Sequence, residues 1–290
     1  MAGVTVALAL TGCAGLTRSA DQAGAIQLRQ TTPERVEGLI AQGEEELRNG
    51  LHQNALSTFS TAMKAEPDNR RARLGMAEAH LAMGNADLAL KGFEALPADM
   101  RNDPQVLQGR GIALAQQGKA GAAEQVLAAA VAADPSLWRS WNALGRVSDA
   151  QRNWDRAEAS YRRALEINPS AAEVYNNLGY SLLLRGRYAE AIGQFDQALR
   201  HAPGLTAAQD NMSLANALMG QYDRALAAVP AERTPTALNN AGFAAITRGE
   251  YGTAESYLIK AVQDSSRHFG TANENLRWLT YLRKNETVAR

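Results

Sequence analysis

The fold is decided by two stretches of sequence, WNALGRVSDAQRNWDRAEASYRRALEINP at residues 141–169 and YNNLGYSLLLRGRYAEAIGQFDQALRHAP at residues 175–203. The stretches align without a gap and start 34 residues apart. A repeat at a fixed period of this length indicates an array of small supersecondary units. The matched pairs are Trp141/Tyr175, Leu144/Leu178, Gly145/Gly179, Trp154/Tyr188, Ala157/Ala191, Tyr161/Phe195, Ala164/Ala198 and Pro169/Pro203.

The same 34-residue period extends along most of the chain. Apolar residues follow a helical spacing twice in each period, and a proline follows the second run in the two aligned stretches, so each unit is predicted to be a helical hairpin. The glycines suit the turn where the first helix ends, and Arg152 stands in the one gap of their series. The periodic residues are Ala55, Ala89, Ala123, Ala157, Ala191 and Ala225, with Gly84, Gly118, Gly186 and Gly220.

This pattern closely resembles the tetratricopeptide repeat, which has the same period and the same series of aromatic, Leu-Gly, Ala, aromatic, Ala and Pro residues. The resemblance implies an all-α fold, a right-handed superhelix of about seven helix-turn-helix repeats. The sixth repeat is short, because Ala225 and Ala254 are only 29 residues apart, and its second helix should end around Pro230. Residues 271–284 are predicted to form a helix that caps the last hairpin. The predicted repeats start near Val36, Arg70, Pro104, Trp138, Ala172, Thr206 and Pro235.

The composition argues against several classes of function. Lys plus Arg and Asp plus Glu are both 30, so no basic surplus points to nucleic acid as a partner. The four histidines are scattered, without a second His or Cys at ligand spacing, and the acidic run GEEELR at 43–48 reads as a solvated helix face. The sequence contains no phosphate-binding glycine loop, G-x-S-x-G or H-E-x-x-H motif. We therefore expect a non-enzymatic protein without a cofactor or metal site.

The single cysteine, Cys13, closes a short apolar run, and Leu10–Cys13 (LTGC) resembles the lipobox of bacterial lipoproteins. The resemblance implies that a lipid is attached to the Cys13 thiol and that the preceding signal peptide is removed. Acyl chains anchor a protein by burying methylene groups, at ~0.8 kcal/mol each. The predicted organisation is a signal peptide at 1–12, the lipidated cysteine and a flexible tether at 13–34, a repeat solenoid at 35–284 and a tail at 285–290.

The alternative is an incidental free cysteine on a frayed N-terminus. A signal peptide begins with Lys or Arg, and Met1-Ala2-Gly3 supplies neither; a true start upstream of Met1 would account for the difference. Ala14 rather than Asp follows the cysteine, which in the Gram-negative lipoprotein family implies sorting to the outer membrane. We expect a lipid-anchored protein on the periplasmic face of that membrane, with a cytoplasmic location as the alternative.

A binding groove is predicted on the concave face, which the first helix of each hairpin lines in this repeat family. At the inward positions, amides lie beside apolar side chains, and an asparagine amide can donate to and accept from a peptide unit. We expect a partner's hydrophobic segment to lie along about residues 172–250. The alternative is that these asparagines bond neighbouring helices and fix the superhelix. The predicted groove residues are Asn142, Asn176, Asn177, Tyr180, Leu184, Asp210, Asn211, Leu214, Leu218, Asn239, Asn240, Phe243 and Ile246.

Nearly the whole chain resembles the TadD family of Flp pilus assembly lipoproteins, from the tight-adherence secretion system. The similarity rests on the size, the lipobox with its tether, the well-formed middle repeats and the truncated repeat NMSLANALMGQYDRALAAVP at 211–230. It implies a pilotin-like factor that helps a secretin ring assemble in the outer membrane. The PilF (PilW) family of type IV pilus biogenesis lipoproteins has a similar architecture. A general scaffold for envelope complexes and a soluble cytoplasmic adaptor remain as alternatives.

Overall fold

The computed structural model describes residues 32–227, 229, 231–265 and 270–288. This part of the chain contains fifteen α-helices and forms two compact units, of which the first ends at Gly118 and the second begins at Lys119. None of the described helices is both long and apolar enough to cross a membrane. Cys13, the predicted signal peptide and nearly all of the predicted tether lie outside the described residues.

The first unit contains five helices. The hairpins α1–α2 and α3–α4 are followed by a 3-10 turn at Ala98–Met100 and by α5. Side chains cap three of these helices, because Thr32, Asn69 and Asp103 each accept a hydrogen bond from a backbone N–H of the first turn. The helices are α1 (Pro33–Arg48), α2 (His52–Ala65), α3 (Arg70–Ala82), α4 (Ala86–Glu94) and α5 (Pro104–Gln116).

The second unit contains ten helices. It begins with α6, continues through the hairpins α7–α8, α9–α10, α11–α12 and α13–α14, and ends with α15. A 3-10 turn at Ala231–Arg233 precedes α13. The helices are α6 (Ala120–Ala133), α7 (Trp138–Ala150), α8 (Trp154–Ile167), α9 (Ala172–Leu184), α10 (Tyr188–His201), α11 (Thr206–Leu218), α12 (Tyr222–Leu226), α13 (Thr234–Thr247), α14 (Tyr251–Gln263) and α15 (Gly270–Val288).

The predicted repeat boundaries agree with the observed helices. The first helix of each repeat begins within three residues of the predicted start, and the predicted terminal helix is α15. The sixth repeat is truncated as expected, because α12 is only five residues long. Pro230 itself lies outside the described residues. The prediction of an all-α fold of about seven helix-turn-helix repeats with a C-terminal helix is confirmed.

The core of several hairpins contains a close contact between the two helices. The 34-residue series of alanines from Ala55 to Ala225 is at most 1% exposed. In the hairpin α9–α10, the Gly179 backbone lies so near the Phe195 ring that a Cβ atom on Gly179 would be 2.6 Å from Phe195 Cε1. Gly43 meets Phe59 and Gly145 meets Tyr161 in the same manner. Small residues on one helix therefore leave room for one large side chain on the other.

The turn between the helices also has a fixed backbone conformation. Gly84, Gly118, Gly186 and Gly220 have φ between 73° and 77°, in the left-handed region that glycine enters without a steric cost. Arg152 occupies the gap in this series and takes the same conformation, with φ of 58°. An L-residue there costs roughly 1–2 kcal/mol. The turn geometry is thus imposed by the hairpin even where the sequence does not favour it.

Replacing Gly179 by Ala tests the close helix contact. We expect the Gly179→Ala variant to lose roughly 1–3 kcal/mol of unfolding free energy, because the added methyl group overlaps the Phe195 ring. Gly193→Ala on α10 is the matched control, since nothing lies within 4 Å of its Cβ position. That variant should gain about 0.5–1 kcal/mol. Urea unfolding followed by circular dichroism measures both changes, and equal effects of the two substitutions would contradict the contact.

Candidate functional site

The first helices of neighbouring repeats in the second unit are joined by side-chain amides. Asn177 Nδ2 on α9 donates to Asn142 Oδ1 on α7, at 3.0 Å. Asn211 on α11 donates in the same way to Asn176 on α9, also at 3.0 Å. In both pairs, the fifth residue of one helix accepts from the sixth residue of the next. These two pairs therefore bond neighbouring helices, as the alternative interpretation of the sequence expected.

Each amide pair keeps donor and acceptor groups that its one hydrogen bond does not use. Asn142 keeps the Nδ2 donors of its amide, and Asn177 keeps its Oδ1 acceptor, because neither group has another partner among the described residues. The pair Asn176 and Asn211 leaves the same two groups. All four side chains are partly exposed. Each junction therefore presents one donor and one acceptor side by side, the two groups that a peptide unit needs.

The series of amide pairs is interrupted at the truncated repeat. At the fifth position of α11 stands Asp210, which forms an ion pair with Arg233 at 3.1 Å. Asn240 on α13, at the sixth position counted from the repeat start at Pro235, makes no hydrogen bond to any described residue, and it is partly exposed. Because α12 is so short, α13 packs directly on α11. The pairing then resumes, since Asn275 on α15 donates to Asn239 on α13 at 2.9 Å.

An apolar row accompanies these amides at the ninth position of the same helices. Tyr180, Phe243 and Trp278 are 44%, 37% and 40% exposed, and Leu214 is half-buried among them in register. The rings of Phe243 and Trp278 lie 6.1 Å apart. At the thirteenth position, Leu184 is exposed and Leu218 is half-buried. We call the row Tyr180, Leu214, Phe243 and Trp278, together with the amides beside it, the recognition face.

The recognition face extends further than the sequence predicted. Trp278 lies on α15, which pairs with α13 through Asn275 as a further first helix would. Tyr281, one turn later, is 65% exposed. The spacing could have revealed this extension, because Asn275 precedes Trp278 by three residues, as Asn240 precedes Phe243. The sequence interpretation assigned Trp278 to the packing of a cap over the last hairpin and did not single out Tyr281.

Two of the predicted groove residues are covered in the structure. Asn239 is 7% exposed and its Oδ1 is bonded to Asn275. Ile246 is 4% exposed and packs in the core of the last hairpin. The repeat register explains the second case: Ile246 stands at the twelfth position of its repeat, where Leu183 and Ala217 are also buried. The exposed thirteenth position belongs to Thr247, so the expectation of an accessible Ile246 was one residue out of register.

A cleft of about 260 Å³ opens beside the start of the row, lined by Arg146, Asp149, Ala150, Tyr161, Asn177, Tyr180 and Leu184. Asp149 is the half-buried anchor of this cleft. Its two carboxylate oxygens accept hydrogen bonds from the hydroxyls of Tyr161, at 2.8 Å, and Ser181, at 2.6 Å. Burial raises the pKa of the Asp149 carboxyl above its usual value, and the two hydroxyls offset part of that rise. The carboxylate thus joins three helices, α7, α8 and α9.

Outside this face, Glu158 is the centre of an ion-pair network. Glu158 on α8 contacts Arg162, Arg185 and Arg187. Burial alone would raise the pKa of Glu158, but the three guanidinium groups outweigh it and lower that pKa to about 2. This network links α8 to the turn between α9 and α10 and so holds neighbouring repeats together. Among the residues that the structure describes, no cluster of His, Cys, Asp and Glu is arranged to hold a metal ion.

Comparison with protein families identifies the repeats. Models described as tetratricopeptide repeat match residues 46–111, 142–206 and 236–274, which together are more than half of the chain. The chain belongs to the tetratricopeptide repeat proteins. Proteins built of tetratricopeptide repeats are generally scaffolds for protein–protein interaction, so the recognition face is suited to a protein partner. No curated protein matches the sequence significantly.

Solved structures support the tetratricopeptide repeat fold and nothing finer. The repeat protein TTC0263 of Thermus thermophilus is 24% identical, with a TM-score of 0.55 over 62% of this chain and 98% of its own. PilF of Pseudomonas aeruginosa is 18% identical, with a TM-score of 0.50 over 79% and 91%. Human IFIT1, in a structure described as a dimer with PPP-AAAA, is 16% identical, with a TM-score of 0.63 over 93% and 70%.

Removing the Tyr161 hydroxyl tests the polar anchor of the cleft. Tyr161→Phe should cost roughly 1–3 kcal/mol at pH 7, because it leaves the half-buried Asp149 carboxylate with one donor fewer. The folded-state pKa of Asp149 lies above 3.8, so its ionisation costs stability as the pH rises through that pKa. Tyr161→Phe raises the pKa of Asp149 further. The unfolding free energy that this variant loses should therefore become smaller as the pH is lowered from 7 towards 4.

The control for this prediction is Tyr175→Phe. The Tyr175 ring stacks on His201 at 5.6 Å, and its hydroxyl has no hydrogen-bond partner among the described residues. We expect no change in stability from this variant at either pH. Urea unfolding at several pH values measures both variants, and a Tyr161→Phe deficit that does not vary with pH would contradict the role of the ionised carboxylate.

Proposed function

We propose that this tetratricopeptide repeat protein is a non-enzymatic, lipid-anchored scaffold that assists the assembly of a pilus or secretion apparatus. In this proposal it holds a segment of a partner protein on its recognition face. The observation that carries the proposal is the row of exposed apolar side chains beside partly used amide pairs on one face of the second unit. A large exposed apolar surface on a soluble domain indicates an interaction site.

The proposed mode of binding follows from the geometry of the junctions. The Asn142 and Asn176 amides can donate to carbonyl groups of an extended segment, and Asn177 and Asn211 can accept from its N–H groups. Because each amide is already held by its neighbour, it is pre-oriented and loses little side-chain entropy on binding. Apolar side chains of the segment would then cover Tyr180 and Phe243. Amides set the register, and the apolar row supplies the main driving force.

The assignment to a pilus or secretion system rests on the N-terminal sequence and on similarity to pilus proteins. The LTGC sequence before Ala14 favours lipidation at Cys13 and an outer-membrane location. The similarity to the TadD family favours an Flp pilus system with a secretin as partner, and the fold shared with PilF is compatible with a type IV pilus. In both cases the protein would bind a component of the apparatus near the membrane while the tether at residues 13–34 provides reach. A general envelope scaffold would use the same face and the same anchor.

A photocrosslinking experiment tests the recognition face. A benzoylphenylalanine residue at position 243, in cells that express the apparatus, should crosslink a secretin or another pilus component. The same residue at position 259 is the matched control, because Ile259 is 41% exposed on α14, a second helix. Tyr180→Ala should weaken the crosslink about tenfold, as expected for an aromatic contact residue. Equal crosslinking at both positions, or a crosslinked partner unrelated to the envelope, would contradict the proposal.

The amides need a separate variant, because some of them also stabilise the fold. Asn240→Ala removes an amide that bonds no described residue, whereas Asn177→Ala also breaks the bond to Asn142. We expect both to weaken partner binding and only Asn177→Ala to lower the unfolding free energy, by about 0.5–1.5 kcal/mol. Binding to the purified crosslinked partner, together with urea unfolding, separates the two effects. Unchanged binding in both variants would show that the amides serve packing alone.

Substitution of the cysteine tests the anchor. Cys13→Ser should remove labelled palmitate from the protein and release it from the membrane fraction, since a serine hydroxyl does not replace the thiol in the lipobox reaction. The experiment uses cells that express the chain from its natural start. Label that persists in Cys13→Ser would overturn lipidation at this residue. An unlabelled and soluble wild-type protein would favour the cytoplasmic adaptor instead.

A further inference from the structure

The recognition face has an uneven distribution of charge. On α9, α11, α13 and α15, the inward positions of each repeat are the second, fifth, sixth, ninth, twelfth and thirteenth. At these positions the four helices carry three carboxylates, Glu173, Asp210 and Glu274. None of these positions is occupied by lysine or arginine. The remaining residues at these positions are amides, threonines, alanines and larger apolar or aromatic residues. An acidic and aromatic face of this kind is complementary to a positively charged partner.

Two of the three carboxylates are available to a partner. Glu173 and Glu274 are at least partly exposed, and neither forms an ion pair or a hydrogen bond with another described side chain. They lie near the two ends of the apolar row, on α9 and α15. Asp210, in the middle, is already paired with Arg233, whose side chain is only 18% exposed. The Arg233 guanidinium is therefore neutralised within the chain, and the unpaired charges at the inward positions of these four helices are negative.

The aromatic residues of the face strengthen the same preference. Tyr180, Phe243, Trp278 and Tyr281 are all between 37% and 65% exposed. A lysine or arginine side chain over an aromatic ring gains about 0.5–1 kcal/mol at an exposed site, and its methylene groups also cover apolar surface. An acidic side chain gains neither contribution, and Glu173 and Glu274 would repel it. Cationic side chains are thus the charged groups that fit beside this row.

The preference ends at α7. There the second and ninth positions are Arg139 and Arg146, and Arg146 makes no ion pair with a described residue. Asp149 lines the same cleft, but both of its oxygens accept from hydroxyl groups of α8 and α9. A cationic side chain is therefore favoured only between α9 and α15. The charge along the first helices therefore changes from basic on α7 to acidic on α9 to α15, towards the C-terminus.

We propose that the face formed by α9, α11, α13 and α15 selects a partner segment that combines apolar residues with lysine or arginine. This inference rests on the proposed function and defines the chemistry of the partner. The basic side chains would lie against Glu173 and Glu274, and the apolar side chains would cover the row between them. The binding should weaken with added salt, because the carboxylates are accessible to solvent and their attraction is screened.

Three pools of synthetic peptides test the inference with the full-length chain. The peptides are fluorescein-labelled, amidated nonamers with positions 2, 5 and 8 all lysine, all glutamine or all glutamate, and with Leu, Val, Phe, Ser and Gly mixed at the other positions. Fluorescence anisotropy at low and physiological salt gives the apparent affinity of each pool. We expect the lysine pool to bind at least about fivefold more tightly than the glutamine pool, and the glutamate pool to bind most weakly.

Charge-neutralising variants locate the preference. The double variant Glu173→Gln with Glu274→Gln should bring the lysine and glutamine pools to within about twofold of each other. The control, Glu94→Gln with Asp264→Asn, removes the same charge from the C-terminal ends of two second helices, α4 and α14. In that control the lysine preference should be retained. Circular dichroism of both double variants verifies that the helices remain folded.

The outcomes separate the inference from the proposed function. If the three pools bind equally and Phe243→Ala abolishes that binding, the preference for basic peptides is overturned, but the recognition face is still the binding site. Tighter binding of the glutamate pool, or a lysine preference that survives in the Glu173/Glu274 variant, would also overturn it. Failure of all three pools to bind would count against the face itself. A lysine preference that only the Glu173/Glu274 variant loses would support the inference.

Discussion

The close contact between the two helices of a hairpin is the constraint on which the rest of the structure depends. A glycine on the first helix faces one large side chain on the second, as Gly145 faces Tyr161 and Gly179 faces Phe195. Interiors are packed at the density of organic crystals, so this space admits neither a further methyl group nor a gap. Contacts of this kind recur in the hairpins α1–α2, α7–α8, α9–α10 and α13–α14 and hold the two helices of each hairpin close together.

Regular hairpins bring the first helices side by side, and the amide pairs and the apolar row are consequences of this arrangement. Asn177 reaches Asn142 and Asn211 reaches Asn176 at the same distance because the two junctions are equivalent. Where α12 is shortened, α13 packs directly on α11 and the amide bond is replaced by the Asp210–Arg233 ion pair. One incomplete helix is thus enough to change both the packing and the charge of the face.

The sequence left two alternatives for the asparagines: they bind a partner, or they bond neighbouring helices. The structure shows that bonding between helices does not exclude a role in binding, because part of each amide pair stays accessible. In a pair such as Asn142 and Asn177, one donor and one acceptor join the two helices, and the other amide groups stay accessible. The same division applies to Tyr161, whose ring fills the hairpin while its hydroxyl holds the Asp149 carboxylate of the adjoining cleft. If the amides bind a partner as proposed, partner binding and repeat stability are coupled through shared side chains, and a residue such as Asn240, which bonds no described residue, reports on binding alone.

The sequence by itself determined the repeat architecture, because periodic alanines, turn glycines and terminating prolines act locally and recur at a constant interval. It also predicted the truncated sixth repeat and the residues of the face at Tyr180 and Phe243. The tertiary structure alone decided which polar groups remain available, since the bonds of Asn177 to Asn142 and of Asn275 to Asn239 join helices about 35 residues apart. It also decided that Ile246 is buried and that Trp278 continues the row. Burial and pairing depend on the neighbouring repeat, and a periodic pattern within one repeat does not contain that information.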